Sequence, residues 1–222
     1  MFRVGRLPQP IAPDRLSRLA LCETATIGHF LHSGFMDPAI TAVIPGRRVA
    51  GTAVTVLVPP LDGTINHYAV GHARPGDFLV IDRAGDHRHA GWGGVTEVAA
   101  QLAGVVGVAI DGTATDFEEI RQTGLPVWCR GPSPLTLKRL GLSGAFCVPV
   151  SCGGVAVNPG DAILADESGI VVIQPDRLDE VVEEALRRQE REPALMARLR
   201  AGERLHDITG AGAQVEAAIV RV

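Results

Sequence analysis

The chain has 222 residues, a length that fits one large domain better than two independent ones. Hydrophobic residues make up 46% of it and charged residues 21%, which is the composition of a globular protein with a core. A net charge of -4 argues against a nucleic-acid partner, and no apolar run approaches the roughly 20 residues that span a membrane.

The four cysteines indicate the compartment. Cys22, Cys129, Cys147 and Cys152 form no Cys-x-x-Cys pair and lie away from histidines at zinc-finger spacing, so we expect buried free thiols in a reducing environment. The N-terminus has arginines and prolines where a signal peptide has an apolar stretch. We therefore expect a cytoplasmic protein.

The apolar periodicity predicts alternating helices and strands. A Pro-rich extended arm over 1–13 precedes a helical segment over 14–32, in which Thr24 is a candidate break. The elements predicted next are strands over 49–58, 78–82, 105–110 and 126–129 and helices over 64–72, 95–103 and 117–122. Short strands follow over 145–173, then a long amphipathic helix over 176–200 within a helical tail over 176–222.

One short sequence pattern occurs twice. Pro75-Gly76-Asp77 is followed at equal spacing by Asp82 and Gly85, and Pro159-Gly160-Asp161 is followed in the same way by Asp166 and Gly169. The pattern predicts two sheet elements of the same design in one core. With the alternation of helices and strands, it indicates a single α/β domain with mixed sheets.

The segment from Val105 to Glu118 is the most informative for chemistry. A buried strand runs through Asp111-Gly112 into a short helix, and ligands of α/β proteins gather at such strand ends. On one interpretation, Thr115 and Glu118 form a capping box and Asp116 complements the helix dipole. On the other, Asp116 holds a hard divalent cation, since Mg²⁺ takes only one or two protein carboxylates.

A glycine-rich turn, Gly91-Trp92-Gly93-Gly94, enters the preceding helix and presents backbone N–H groups to an anion. By itself this signal is weak, because the turn lacks the lysine of a phosphate loop. His87 and His89 are a poor metal signal. Ser151 and Cys152 have no base placed beside them by the sequence.

Together these segments resemble the RraA-like family, which includes the regulator of ribonuclease activity A and the 4-hydroxy-4-methyl-2-oxoglutarate aldolases. The resemblance covers most of the chain and follows from the order and spacing of several motifs. These are Pro45-Gly46, Pro75-Gly76-Asp77, Trp92-Gly93-Gly94, Asp111-Gly112 with Asp116, Leu125-Pro126-Val127, Val148-Pro149-Val150 and Asn158-Pro159-Gly160-Asp161.

The resemblance implies a swivelling β/β/α-type fold, a homotrimer or hexamer, and a site for a small 2-oxo acid between subunits. Asp116 matches the metal-binding aspartate, for Mg²⁺, Mn²⁺ or another divalent cation. The substrate loop matches Gly93, Gly94, Val95 and Thr96. Glu192, or Glu190, resembles a glutamate that the neighbouring subunit donates to organise a water.

The chain departs from the family pattern at two positions. Position 115 is Thr where the family has the arginine that grips the substrate carboxylate, and position 94 is Gly where many aldolases have an acidic residue. The favoured hypothesis is a metal-dependent lyase of the pyruvate aldolase type, with oxaloacetate decarboxylation as a second activity. In that hypothesis Asp116 and Glu192 are catalytic. The alternative is a non-catalytic regulatory or binding protein of the same family.

Overall fold

The structure is a computed structural model that describes residues 1–220. Its strands are β1 (Phe2–Val4), β2 (Thr41–Ala42), β3 (Val49–Leu57), β4 (Asp77–Asp82), β5 (Gly107–Ile110), β6 (Val127–Cys129), β7 (Gly144–Phe146), β8 (Val150–Cys152), β9 (Val155–Val157), β10 (Ala162–Asp166) and β11 (Gly169–Ile173). Its helices are α1 (Pro13–Leu19), α2 (Thr24–Gly28), α3 (Thr64–His72), α4 (Gly94–Leu102), α5 (Phe117–Thr123), α6 (Leu178–Gln189), α7 (Glu192–Arg200), α8 (Leu205–Thr209) and α9 (Ala211–Ala218).

A mixed sheet organises the fold. Strands β3, β4, β5 and β6 are parallel neighbours in that order, and β2 closes one end by pairing antiparallel with β6. The other edge of β3 is shared by β7 and β10, both antiparallel to it, and β11 pairs with β10. The prediction of a mixed α/β domain is therefore confirmed.

The repeated sequence pattern forms the two neighbours of β3. Thr52 in β3 lies opposite Asp77 of β4 on one side and opposite Ala162 of β10 on the other. Each copy supplies a tight turn followed by a strand, one parallel to β3 and the other antiparallel. The prediction of two similarly built sheet elements in one core is confirmed.

The sheet is covered on both faces. Helices α3, α4 and α5 bury their apolar sides on one face, where Ile65, Ala100 and Ile120 join a core cluster with residues of β3, β4 and β5. The opposite face packs against the β8–β9 hairpin, and Ile163 and Ala165 of β10 belong to the same core cluster. Helices α1, α2 and α6 pack against β10 and β11. In residues 1–220, no helix combines the length and apolarity needed to cross a membrane.

Two features of the chain differ from the predictions. The helix predicted over 176–200 is two helices, because α6 ends at Gln189 and α7 begins at Glu192 with Pro193 in its first turn. A proline lacks the N–H that would continue α6 and is well suited to the first turn of a helix. The predicted arm over 1–13 includes β1, which pairs with β7. Residues 221–222 of the predicted tail lie outside the described residues.

Candidate active site

A cavity of about 170 Å³ lies at the carboxyl edge of the parallel strands, where the chain leaves β4 and β5 and enters α4 and α5. This is the edge where ligands of α/β sheets bind. The volume suits a small organic acid, since it is below that of a drug-sized site. The cavity is lined by Gly63, Asn66, His67, Ala90, Gly91, Trp92, Gly93, Val95, Thr96, Thr115, Asp116, Thr136 and Leu137.

Asp116 lies at the mouth of this cavity in a left-handed backbone conformation, with φ of 56°. Its Oδ2 accepts a hydrogen bond of 2.9 Å from the N–H of Gly94, and its Oδ1 accepts one of 3.1 Å from the hydroxyl of Thr115. Left-handed backbone at a residue other than glycine is uncommon, although aspartate tolerates it better than most. Such left-handed backbone conformations at residues other than glycine are found preferentially at functional sites.

The predicted capping box of Thr115 and Glu118 is wrong. The N-cap of α5 is Asp116 itself, and no side chain caps the helix. Thr115 lies one residue earlier and directs its hydroxyl to Asp116, while its N–H donates to the carbonyl of Trp92. A Thr115–Glu118 capping box therefore does not explain these residues. The carboxylate of Asp116 instead accepts the N–H of Gly94 in the first turn of α4 and keeps lone pairs for a ligand.

The amino end of α4 forms the second side of the cavity. Thr96 closes the first turn by donating its hydroxyl to the carbonyl of Gly93 (2.8 Å) and accepting the N–H of Gly93 (3.1 Å). The N–H groups of Val95 and Thr96 find no acceptor among the described residues. Unpaired N–H groups and the helix dipole together attract an anion at this end. The predicted substrate loop is thus brought directly beside Asp116.

Gly93 allows the two sides of the cavity to approach. A Cβ at this position would lie 2.8 Å from Oδ2 of Asp116 and 2.8 Å from Cγ2 of Thr115. The backbone of Gly93 is extended, so the requirement for glycine comes from this close contact rather than from φ. Gly94 is less constrained, because a Cβ there would lie 3.3 Å from the Cβ of Glu119.

The side chains present suit a hard divalent cation held by one carboxylate and several waters. Each carboxylate oxygen of Asp116 accepts one hydrogen bond, which leaves lone pairs on both for a cation. Within residues 1–220, no group of three His, Cys, Asp or Glu side chains is placed to share a metal ion. Such an arrangement fits Mg²⁺ better than zinc, which binds through three or four protein ligands.

Helix α3 supplies a wall that the sequence analysis did not identify. Asn66 is buried, and its side-chain NH₂ donates to the carbonyl of Gly91, which ties α3 to the glycine loop. His67 lies next to it at the exposed rim. No motif marks these residues, because α3 is a short helix some 25 positions before the glycine loop and reaches the site only through the sheet.

Loop 130–143 completes the cavity with Thr136 and Leu137. This loop is anchored on Asp62, a buried carboxylate that accepts the N–H groups of Leu142 (2.6 Å) and Leu140 (3.1 Å) and the hydroxyl of Thr64 (2.6 Å). Burial alone would raise the pKa of Asp62, but these hydrogen bonds hold it well below its usual range. A residue outside the cavity therefore fixes one of its walls.

Glu97 lies one turn into α4 and is fully buried. Its Oε2 accepts a 2.7 Å hydrogen bond from the indole N–H of Trp92, and its Oε1 has no partner. Burial raises the pKa of Glu97 to about 7. The sequence carried a signal for this residue, since Glu97 shares the inward helix face with Ala100 three residues on.

Arg83 supports the site from below. Its guanidinium donates to the carbonyl of Val58 (2.7 Å) and to Oδ2 of Asp86 (2.9 Å), and its stem is so close to Gly91 and Gly112 that a Cβ at either would lie within 2.7 Å of it. The side chain is fully buried. It therefore packs the two loops that lead to α4 and α5 against the sheet.

Several residues considered in the sequence lie elsewhere. Glu190 follows the end of α6 and Glu192 is the first residue of α7; both are exposed, and neither lines the cavity. His89 pairs with Asp86, at 2.9 Å, and His87 approaches Asp111, so the two histidines share no ligand. The predicted buried free thiols are confirmed for all four cysteines, and burial raises the pKa of Cys152 well above its ordinary value.

The Aldolase/RraA family profile matches residues 20–172, which is most of the chain. The chain belongs to the RraA-like family. Of the motifs that indicated this family, Trp92-Gly93-Gly94 contributes Trp92 and Gly93 to the cavity, and the motif that begins with Asp111-Gly112 contributes Asp116. The family prediction made from the sequence is confirmed.

Named relatives and solved structures agree with this assignment. A protein of Halalkalibacterium halodurans named "Putative 4-hydroxy-4-methyl-2-oxoglutarate aldolase" is 35% identical over 142 residues, or 64% of this chain and 67% of that protein. An uncharacterized protein of Pseudomonas syringae has the same fold, with a TM-score of 0.80, 27% identity and coverage of 91% and 96% of the two chains. A Streptomyces coelicolor protein, described as an unusual member of the RNase ES inhibitor RraA family, gives a TM-score of 0.75, 26% identity and coverage of 85% and 98%.

Proposed function

We propose that this protein is a divalent-metal-dependent lyase of the pyruvate aldolase type, which cleaves a C–C bond in a small 2-oxo acid. The observation that carries the proposal is the placement of the Asp116 carboxylate beside the unpaired N–H groups of Val95 and Thr96, at the mouth of a cavity of about 170 Å³. The relatives named as aldolases support the same reaction class.

The chain's own residues supply binding and orientation. Asp116 would hold Mg²⁺ or Mn²⁺, and its left-handed backbone with the N–H of Gly94 fixes the direction of the carboxylate. The amino end of α4 receives the substrate carboxylate, because its N–H groups and dipole favour an anion. When bound, the metal supplies positive charge that polarises the 2-oxo group and stabilises enolate charge during C–C cleavage. Oxaloacetate decarboxylation develops the same charge, so we include it in the proposal.

The proton transfer requires a group that donates and accepts a proton near the reacting carbon. We assign it to a water held by Glu192 of the neighbouring subunit in a homotrimer or hexamer. Exposed apolar side chains on the outer face of α4 support such an assembly, since Val95 is 80% exposed and Leu102 is 82% exposed. The four buried thiols support a cytoplasmic location.

The test is pyruvate release from oxaloacetate by the purified protein, with and without Mg²⁺ or Mn²⁺. The proposal expects metal-dependent release that Asp116→Ala abolishes. Glu118→Ala is the matched control, because Glu118 is an exposed carboxylate in the first turn of the same helix and does not line the cavity. Release equal to that of free metal ions, or equal in wild type and Asp116→Ala, contradicts the proposal.

A second candidate is a non-catalytic regulatory or binding protein. The observation that favours it is the similarity to the Streptomyces coelicolor RraA protein, together with the replacement of a carboxylate-gripping arginine by Thr115. Such a protein would need no metal. Titration calorimetry with Mg²⁺ and Mn²⁺ separates the two candidates, because the lyase requires binding that depends on Asp116.

A further inference from the structure

A small 2-oxo acid brings a negative charge into a cavity that already contains the carboxylate of Asp116. Among the residues that line the cavity, His67 is the one side chain that can carry a positive charge. It lies on the exposed side of α3, where the cavity meets a groove between α3 and α4. Val95 and Thr96, whose N–H groups are unpaired, line both spaces together with His67.

Two arginines near the cavity, Arg83 and Arg130, are engaged elsewhere. Arg83 is buried beneath the site on Asp86, and Arg130 donates to Asp111 (2.5 Å) and Asp37 (2.8 Å). The hydroxyl of Thr115 is directed to Oδ1 of Asp116. His67, in contrast, makes no hydrogen bond or ion pair with the residues that the structure describes. Its imidazole is therefore available to a ligand.

We propose that His67 binds the carboxylate of the substrate, jointly with the N–H groups of Val95 and Thr96. The inference rests on the proposed function for the choice of ligand and assigns to His67 the selection of an acid over a neutral 2-oxo compound. A donor on an imidazole that can become charged forms a stronger hydrogen bond with a carboxylate than with a neutral carbonyl. His67 lies at the rim of the cavity and is therefore a binding residue. The carbon at which the substrate reacts would lie nearer to Asp116.

The test compares two ligands that differ in this charge, pyruvate and its neutral amide, pyruvamide. Their affinities for the Mg²⁺-loaded protein are measured by NMR titration for wild type and for His67→Ala. We expect the preference for pyruvate to fall about tenfold in His67→Ala, as for loss of one charge-assisted hydrogen bond. His72→Ala is the matched control, because His72 is exposed on the same helix, stacks on Tyr68 and lies outside the cavity.

Two further variants distinguish ligand binding from a structural role. His67→Arg keeps a cation at the rim, and Thr115→Arg in the His67→Ala background places one elsewhere in the same cavity. The proposal expects each to restore a preference for pyruvate. An unchanged preference in His67→Ala, or no preference in wild type, overturns it. Pyruvate binding that depends on His67 in a protein that releases no pyruvate from oxaloacetate would contradict the lyase and leave the His67 contact standing.

Discussion

The N–H of Gly94 donates a hydrogen bond of 2.9 Å to Oδ2 of Asp116, and this contact joins the amino ends of α4 and α5. The two residues are 22 positions apart and follow different strands of the sheet. Their contact orients the proposed metal-binding carboxylate from the side on which the substrate carboxylate would lie. The proposed metal and substrate sites therefore depend on the same few backbone atoms.

The spacing between these loops predicts the effect of Gly93→Ala. A Cβ at Gly93 would lie 2.8 Å from Oδ2 of Asp116, so the carboxylate or the loop has to move. We expect the affinity for Mn²⁺ to fall by on the order of tenfold or more, as for other changes that misorient a metal ligand. Titration calorimetry with Mn²⁺ measures this.

Two alanine variants serve as references for Gly93→Ala. Gly94→Ala meets a contact of 3.3 Å with Glu119 and should have a smaller effect, whereas Gly71→Ala in α3 meets nothing within 4 Å. Gly71→Ala should bind Mn²⁺ as wild type does. If Gly93→Ala also retains wild-type affinity, the close packing of the two loops does not control the carboxylate.

The sequence predicted the strand, the turn and the short helix around Asp116 because each depends on local patterns. Asp111-Gly112 marks the turn, and Gly124 ends α5 in the left-handed conformation that glycine favours. The left-handed backbone of Asp116 was not predictable, since it depends on contacts with Trp92 and Gly94. The Thr115–Glu118 spacing matched a capping box, but tertiary contacts determined where the helix begins.

The walls of the cavity show the same difference between local patterns, which the sequence reveals, and tertiary contacts, which it does not. Gly93 and Thr96 were predicted because they belong to a continuous motif. Asn66, His67 and Thr136 were missed, because the topology of the sheet brings them from α3 and loop 130–143. The break before α7 was available in the sequence, since Pro193 cannot donate the hydrogen bond that continues a helix.

Glu97→Gln should stabilise the protein at high pH. In the unfolded chain the carboxyl has an ordinary pKa of about 4.3, whereas burial raises the pKa of Glu97 in the folded protein to about 7. In the wild type, the contribution of Glu97 to the free energy of unfolding is thus fully present below about pH 4.3 and is lost as the pH rises through about 7. Glutamine keeps an acceptor for the indole of Trp92 and carries no charge.

Urea unfolding at pH 4.5 and pH 8 measures the effect of Glu97→Gln. We expect little difference from wild type at pH 4.5 and a gain of up to about 3 kcal/mol in the free energy of unfolding at pH 8. Glu118→Gln, the same substitution at an exposed position of α5, is the control. A difference that is the same at both pH values would show that Glu97 does not titrate in this range.

Arg83→Met should destabilise the fold strongly. The change leaves the carbonyl of Val58 without its donor and removes the cation that pairs with Asp86, and loss of one partner of a buried ion pair costs about 3–5 kcal/mol. Thermal and urea unfolding measure the loss. Arg121→Met is the control, because Arg121 and Glu118 form an exposed pair at 3.8 Å, which is worth about 0–1 kcal/mol. Equal effects of the two substitutions would rule out Arg83 as the support of the site.

Asp62→Asn tests the anchor of loop 130–143. Oδ1 of Asp62 accepts the N–H of Leu140 and Oδ2 accepts that of Leu142. The NH₂ of an asparagine would face one of these two N–H groups, so at least one of the present hydrogen bonds is lost. We expect a loss of about 1–3 kcal/mol in the free energy of unfolding, with faster hydrogen exchange in the loop that carries Thr136.

The pH dependence distinguishes Asp62 from Glu97. Hydrogen bonds to its charged form keep the pKa of Asp62 well below its usual range. The contribution of this carboxylate to the free energy of unfolding is therefore present above the unfolded-state pKa of about 3.9. It is lost only as the pH falls through the lower pKa of the folded state. The difference between Asp62→Asn and wild type should therefore stay constant from pH 5 to pH 8, the interval over which the effect of Glu97→Gln grows. Hydrogen exchange in residues 130–143 that is unchanged in Asp62→Asn would show that other contacts hold this wall of the cavity.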